Sequence, residues 1–290
     1  MLTLFVQGMK GLQVLRNFPQ KFHPLIKEVK IGMDKKIVND YSNEIRSFCK
    51  NNSIVFSISN VSNSFDSEYA IAIGWQRLIK YSKKQFLIVF HDSILPRLRG
   101  FNPLVTCLLN GDREIGVTAL FASEEYDKGN IIDCEVVEIK YPIKVEKAIA
   151  QVSKCYATLA NKLIQSIADK KEIIGKVQNE KDATYSLWRD DEDYIINWRD
   201  DATYISRFID AVGFPYKGAR TYIGNKLITI LDAEPQPDVT IENRLEGKVI
   251  FKIANEPVIV CGTGLLKIKE AIDDSGEKVD FSKNFRIRFK

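Results

Sequence analysis

Apolar positions fall along this 290-residue chain in two regimes. In the first, runs of strand length alternate with stretches of helical period. Residues 2–7 read as a buried strand, turned by Gly8 and Gly11 into a helix that carries Leu12, Val14 and Leu15. Residues 30–34 give a weak strand, and 41–50 a helix with Ile45 and Phe48 facing inward. Strands follow at 53–57, 69–74 and 86–90, with a basic helix or turn before the last. The run Phe86-Leu87-Ile88-Val89-Phe90 is unbroken, as in a parallel strand covered on both faces. His91 stands where it ends. Beyond a loop bearing Pro96 and Gly100, Asn102 and Pro103 read as the cap and first residue of a helix that Gly111 closes. A strand over 114–121 leads to a loop with Asp127 and Gly129, and 132–140 alternates like an edge strand. Between 145 and 168 the apolar residues keep a helical period over about six turns, which predicts a helix laid across the sheet.

The second regime begins after a polar connector, 170–183, with Gly175 inside it. A helix over 200–212 ends at Gly213 and Pro215. Short strands then crowd together at 220–223, 226–231, 248–253, 258–261 and 265–272, separated by turns at 224–225, 246–247 and 262–264. The prediction is an α/β fold in two domains. Residues 1–178 form a doubly wound, mostly parallel Rossmann-like sheet, and 184–290 a small β-rich, OB-like barrel.

Composition narrows the class. Hydrophobic residues make up 45% and charged residues 28%, ordinary for a soluble protein. The 42 basic and 38 acidic residues leave +4 without a large basic block, which suits an anionic small substrate better than nucleic acid. Five scattered cysteines and two histidines argue against a zinc site, so no metal is expected. No apolar run approaches the roughly 18 residues of a membrane span, and the amino terminus lacks a signal-peptide pattern. The expected location is the cytoplasm, with no membrane partner.

In open α/β sheets, ligands sit beyond the carboxyl ends of the strands, where this pattern places His91. A carboxylate such as Asp127 beside it would fix the ring, and the pair can take a proton from an attacking nucleophile. The competing reading is a histidine that caps a strand and bonds backbone. No protein nucleophile is evident: Ser93 lacks a glycine-flanked elbow and no cysteine sits in a catalytic motif. A substrate that brings its own nucleophile fits better. Gly8-Met9-Lys10-Gly11 falls short of the dinucleotide fingerprint, and a tight turn needing glycine is favoured over a nicotinamide or flavin site.

The run from His91 through Ser93, Leu95, Pro96, Arg99 and Gly100 to Pro103 resembles the signature of folate-dependent formyltransferases. Further pieces match in order: Asn110-Gly111-Asp112, Gly116-Val117-Thr118 and Asp127-Lys128-Gly129-Asn130-Ile131. Asn197-Trp198, Pro215-Tyr216-Lys217-Gly218-Ala219 and the stretch 262–266 resemble that family's carboxy-terminal domain. The resemblance implies 10-formyltetrahydrofolate as donor and an amine as acceptor, with His91 as base and proton shuttle and Asp127 as its charge partner. It implies a pterin held by the backbone at Leu87, Ile88 and Val89 and by the loop with Ser123, Tyr126 and Asp127. Gly74 and Trp75 would wall that pocket, and Leu95, Pro96 and Gly100 would shape the junction of donor and acceptor. The family's catalytic asparagine, two residues before the histidine, is Val89 here. Valine donates no hydrogen bond, so protonated His91, a backbone N–H or a water must meet the oxyanion.

The acceptor favoured by the charge pattern is a nucleotide-linked amino-deoxysugar, as used in surface polysaccharide biosynthesis. Its pyrophosphate needs few cations, and Ser93, Arg97, Arg99 and Lys217 are candidate contacts. Trp188, Trp198 and Tyr216 are candidates for stacking on a base, against the alternative that they are core. A methionyl-tRNA acceptor would call for basic insertions that the region 30–36 and the balanced second domain lack. A carrier-bound aminoacyl acceptor, or a non-catalytic folate or sugar-nucleotide sensor motivated by Val89, remain as alternatives. Homodimerisation is an expectation from the family.

Overall fold

β1 (Leu2–Val6) is buried at every position, as an apolar strand covered on both faces must be. The structure, a computed structural model, describes all residues except 35, 36, 38, 59–63 and 284, so part of the 30–36 region lies outside it. β1 leads through α1 (Gly8–Arg16) to β2 (Ile26–Ile31), and through α2 (Ser42–Asn51) to β3 (Phe56–Ile58). β4 (Tyr69–Ile73) and β5 (Phe86–His91) follow. Next come β6 (Arg99–Gly100), α3 (Pro103–Asn110), β7 (Glu114–Phe121), β8 (Ile131–Glu138), α4 (Val145–Ala168) and β9 (Tyr185–Ser186).

Among the described residues, seven strands form one sheet in the order β3-β2-β1-β4-β5-β7-β8. The stretch from β3 to β5 is parallel, and β7 and β8 join antiparallel with β8 on the edge. This is the mostly parallel sheet read from the apolar pattern. β2 starts earlier than its hydrophobicity suggests, because pairing with β1 sets Val29 beside Leu4 and Ile31 beside Val6. The link between β4 and β5 is turn rather than helix. α4 has the predicted bounds.

Side chains alternate along β5, and the two faces have different coverings. On one, Tyr156 of α4 donates to Asp92 Oδ1 at 2.6 Å, and Lys10 of α1 pairs with the same carboxylate. On the other, Leu87 and Val89 pack with Phe5, Ala70 and Ala72 beneath Phe65, Trp75 and Ile79. His91 belongs to this second face.

The second half is built around α5 (Ala202–Ala211), capped by Asp201, whose Oδ1 accepts from the N–H of Thr203 and Tyr204. β10 (Ala219–Ile223), β11 (Lys226–Gln236), β12 (Val249–Ile253), β13 (Glu256–Val260) and β14 (Leu265–Asp273) form an antiparallel sheet, ordered β10-β11-β14-β13-β12. The last residues of the chain close it. Lys290 exchanges backbone hydrogen bonds with Tyr222 beside β10, while Phe289 N–H donates to Gly247 and Val249 N–H to Ile287 beside β12. Both sheet edges are thereby paired, which gives the barrel. Trp198 lies in its core, 5% exposed, with Nε1 donating to Thr221 Oγ1 at 2.9 Å and its ring 5.4 Å from Phe289.

The chain divides into two compact units. One comprises Met1–Cys107, Arg113–Ile139 and Lys147–Trp188, and the other Leu108–Asp112, Lys140–Glu146 and Arg189–Lys290. The first thus runs on to Trp188, past the expected end at 178. β9 pairs parallel with β6, and Thr184 Oγ1 accepts from Leu98 N–H at 2.9 Å, so this strip is held against the loop after β5.

Candidate active site

The loop after β5 folds back on itself through its own polar groups. Ser93 Oγ donates to Arg97 O at 2.7 Å. Thr118 Oγ1, on β7, donates to Ser93 O at 2.6 Å and accepts from Leu95 N–H at 3.1 Å. The fold-back sets Leu98 O 2.8 Å from Nε2 of the buried His91. On the ring's other side, Asp127 Oδ1 stands 3.4 Å from Nδ1. Asp127 Oδ2 accepts from Gly100 N–H at 2.8 Å. Both imidazole nitrogens therefore face oxygen, and the ring donates to both only with a proton on each.

Asp127 is held in an uncommon backbone state, φ +57°, which aspartate tolerates better than most residues. Gln178 fixes it there: its Nε2 donates to Asp127 O at 2.7 Å and to Gly129 O at 2.8 Å. Gln178 Oε1 in turn accepts from Arg99 Nε at 3.1 Å and Nη2 at 2.8 Å, and Arg99 also forks onto Glu180 at 2.9 and 2.8 Å. Arg99 is fully buried.

That burial corrects an expectation. Arg99 is no acceptor contact; its guanidinium is spent on Gln178 and Glu180. Ser93, 1% exposed with its hydroxyl on Arg97 O, is likewise a loop brace. Lys217 pairs with Asp191 inside the second unit, and Trp198 is core rather than a stacking platform. Arg97 is exposed, as is Trp188, and Tyr216 is half-buried.

The remaining expected residues fall into two groups. Leu87, Val89 and Trp75 form an apolar surface with Ile79 and Ala122. Ile88 points into the opposite core, fully buried, so only its backbone is available there. Gly74 ends β4 at φ +62°, and a Cβ on it would lie 2.7 Å from Gln7 O. Leu95 is buried, and Pro96 O accepts from Thr184 N–H at 3.3 Å. Ser123 is exposed, its hydroxyl donating to Glu125 O at 2.6 Å. Tyr126 is 66% exposed, its ring 6.3 Å from that of Phe101, 53% exposed. Phe101 and Tyr126 directly follow Gly100 and precede Asp127, so they flank the pair.

Reasoning along the chain missed Gln178, Phe101 and the Lys10–Asp92–Tyr156 cluster. Burial and then the Asp92 carboxylate hold the Tyr156 phenol well above its ordinary range, so it stays a neutral donor behind β5.

Residues 35–165 match the Formyl transferase family, and 189–288 match the family Formyl transferase, C-terminal domain. The chain belongs to the formyl transferase family. Formyl group transfer is therefore its chemistry. A methionyl-tRNA formyltransferase of Rickettsia bellii is 28% identical over 236 residues, covering 80% of this chain and 74% of that protein. The structure of an N-formyltransferase from Helicobacter canadensis, in complex with folinic acid and dTDP-3-aminofucose, superposes with a TM-score of 0.71 at 18% identity. It covers 92% of this chain and 98% of that one. HypX from Aquifex aeolicus, in complex with tetrahydrofolic acid, gives a TM-score of 0.62 at 17% identity. The match covers 96% of this chain, which spans about half (45%) of that longer one. Among the described residues, no helix is long and apolar enough to cross a membrane, and no cluster of three or more His, Cys, Asp or Glu side chains could hold a metal ion.

Proposed function

We propose that this formyltransferase moves the formyl group of 10-formyltetrahydrofolate onto the amine of a nucleotide-linked amino-deoxysugar. The observation that carries the chemistry is the His91–Asp127 pair at the carboxyl end of β5, 3.4 Å apart, with Asp127 pinned by Gly100. The apolar surface of Leu87, Val89, Trp75 and Ile79 suits a flat pterin beside that pair. Phe101 and Tyr126 offer exposed ring faces at its mouth.

In this reading the acceptor nitrogen attacks the formyl carbon, forming the new C–N bond and placing negative charge on the formyl oxygen. The His91–Asp127 pair takes the proton that the attacking amine must lose. It returns that proton to the folate nitrogen as the old C–N bond breaks. Asp127 fixes the orientation of the ring, and the wall of Leu87 and Val89 limits water that would compete with the amine.

A sugar acceptor is supported by the extent of the fold likeness, 98% of a chain whose structure holds dTDP-3-aminofucose, and by balanced charge in the second half. A methionyl-tRNA acceptor is the second reading. It is favoured by the 28% identical relative and by an exposed basic strip, Arg286, Arg288 and Lys290, lining a depression of about 500 Å³ with Ile223 and Gly224. Incubation with 10-formyltetrahydrofolate and a panel of UDP- and dTDP-linked 3- and 4-amino sugars, with methionyl-tRNA alongside, separates the two. Mass spectrometry should show one formyl group gained by a sugar and lost with His91→Ala. Transfer to methionyl-tRNA alone would overturn the sugar reading.

A further inference from the structure

The end of β5 that carries His91 is paired on one side only. The ladder between β4 and β5 stops at Ile73 and Phe90, and β4 then turns away at Gly74, φ +62°. On the other side β7 continues one residue further, pairing Thr118 with His91. His91 is therefore the first residue of β5 to have lost a neighbouring strand. An end held in this way is where a strand opens most easily.

What holds it lies behind the sheet. Phe90 and Asp92 alternate with His91 and so face the opposite way. Tyr156 of α4, 1% exposed, brings one hydroxyl to both of them. It donates to Asp92 Oδ1 at 2.6 Å and lies 3.3 Å from Phe90 O, and its ring stands 5.6 Å from that of Phe90. Lys10 of α1 pairs with Asp92 Oδ2, its ammonium 5.7 Å from the centre of the Tyr156 ring. Each carboxylate oxygen of Asp92 thus has a partner of its own, and the bond from Tyr156 is charge-assisted and strong. A mostly buried ion pair adds little net stability, because desolvation offsets the attraction. Stability alone is a poor account of why two helices converge on this one carboxylate.

We infer that Asp92, clamped by Tyr156 and Lys10, is a positioning residue that fixes the backbone on both sides of His91 and so sets where the imidazole stands against Asp127. From the front the ring meets Leu98 O at 2.8 Å and Asp127 Oδ1 at 3.4 Å, both carried by loops. Loops can follow a ring that drifts. The clamp on Phe90 and Asp92 ties the ring to α1 and α4 instead. Proton transfer needs its partners within hydrogen-bond reach, so a small drift lowers the rate without loosening the folate. None of the three residues touches the reacting atoms, and none gains or loses a proton. The inference rests on the site at His91 proposed above, but not on the identity of the acceptor.

The test compares wild type, Tyr156→Phe, Asp92→Asn, those two combined, His91→Ala, and His91→Ala with Tyr156→Phe. Formyl transfer is measured on the acceptor panel given above, while folinic acid titration and thermal melting report binding and folding. The expected result is a kcat loss of about 10- to 100-fold in Tyr156→Phe, with acceptor KM and folinic acid affinity retained. Adding Asp92→Asn should cost little more, since both changes cut one contact, and Tyr156→Phe should cost nothing further once His91 is gone. The chain has two histidines, so NMR spectra of histidine-labelled protein resolve each ring. Tyr156→Phe should shift or broaden the His91 signals and leave those of His23 in place, a readout that needs no acceptor. An unchanged kcat in Tyr156→Phe, losses that add, the same loss in the His91→Ala background, or unmoved His91 signals would overturn it. If Tyr156→Phe does not fold, Asp92→Asn, at the less buried position, carries the same comparisons. A His91→Ala variant as active as wild type would instead overturn the reading of the site itself. A wild type inactive on every acceptor would count against the sugar reading, while the ring signals would still decide the role of Asp92.

Discussion

Gln178 Oε1 accepts two hydrogen bonds from Arg99, at 3.1 and 2.8 Å, although the two residues are 79 positions apart. Through the other end of its amide, Gln178 holds the carbonyls of Asp127 and Gly129. One side chain thus ties the loop after β5 to the loop that carries the carboxylate.

Gln178→Leu keeps the bulk and removes both ends of that tie. It strands donors of a buried guanidinium, for which a stability loss of about 2–3 kcal/mol is expected. Urea unfolding would show it. Transfer activity should fall tenfold or more under conditions where the variant is still folded, because Asp127 loses its anchors. Arg99→Met should destabilise by about 3 kcal/mol, since Glu180 remains open to water and only Gln178 is left unpaired inside.

Gly100→Ala should be inactive or nearly so. Gly100 sits at φ +97°, and a Cβ on it would lie 2.6 Å from Ser186 O, so the loop must shift. That shift moves the N–H that holds Asp127 Oδ2. Steady-state assays should show a kcat drop larger than the change in folinic acid affinity.

In the second unit, Arg244 forks onto Asp238 at 3.0 and 2.7 Å, and with Gly264 N–H it lowers the Asp238 carboxyl to about 2 from the ordinary 3.8. A carboxyl lowered on folding stabilises the folded state above its unfolded value, and that contribution is lost as pH falls through the folded value. Stability should therefore decline between pH 3.8 and about 2. Asp238→Asn should flatten that part of the acid limb in urea titrations at stepped pH. Asp238 is exposed, so the change is modest.

The thiols should react slowly in the native protein. Burial pushes Cys49 up to about 11 and Cys261 up to about 12, and raises Cys134 and Cys155 as well. At pH 8 these groups are neutral, and the thiol is the unreactive form. Ellman's reagent should label them only after denaturation, with Cys134, the half-buried one, first among any that react natively.

Some of this was legible along the chain because it depends on neighbours in sequence. The helical period of 145–168 and the unbroken run 86–90 each state their own burial, so α4 and β5 follow from local pattern. His91 at a strand end is local too. Arg99 shows the opposite case. Its charge and its place in a loop read as a phosphate contact, yet its partners Gln178 and Glu180 lie in what looked like a featureless connector. Nothing in the spacing of a lone glutamine signals that it will meet a buried guanidinium.

What the sequence by itself determined was the alternation of elements, the two-part organisation, and a histidine placed at the carboxyl end of a central strand, because hydrophobic period and turn residues act within a few positions. The tertiary structure decided which polar groups are spent on holding the loops and which are left for a ligand. Ser93, Arg99 and Lys217 are engaged by the chain, while the side-chain oxygen of Gln7 is buried with no hydrogen-bond partner. A buried polar group takes its function from whatever the fold brings within hydrogen-bond distance, and that is set by register across strands far apart in the chain.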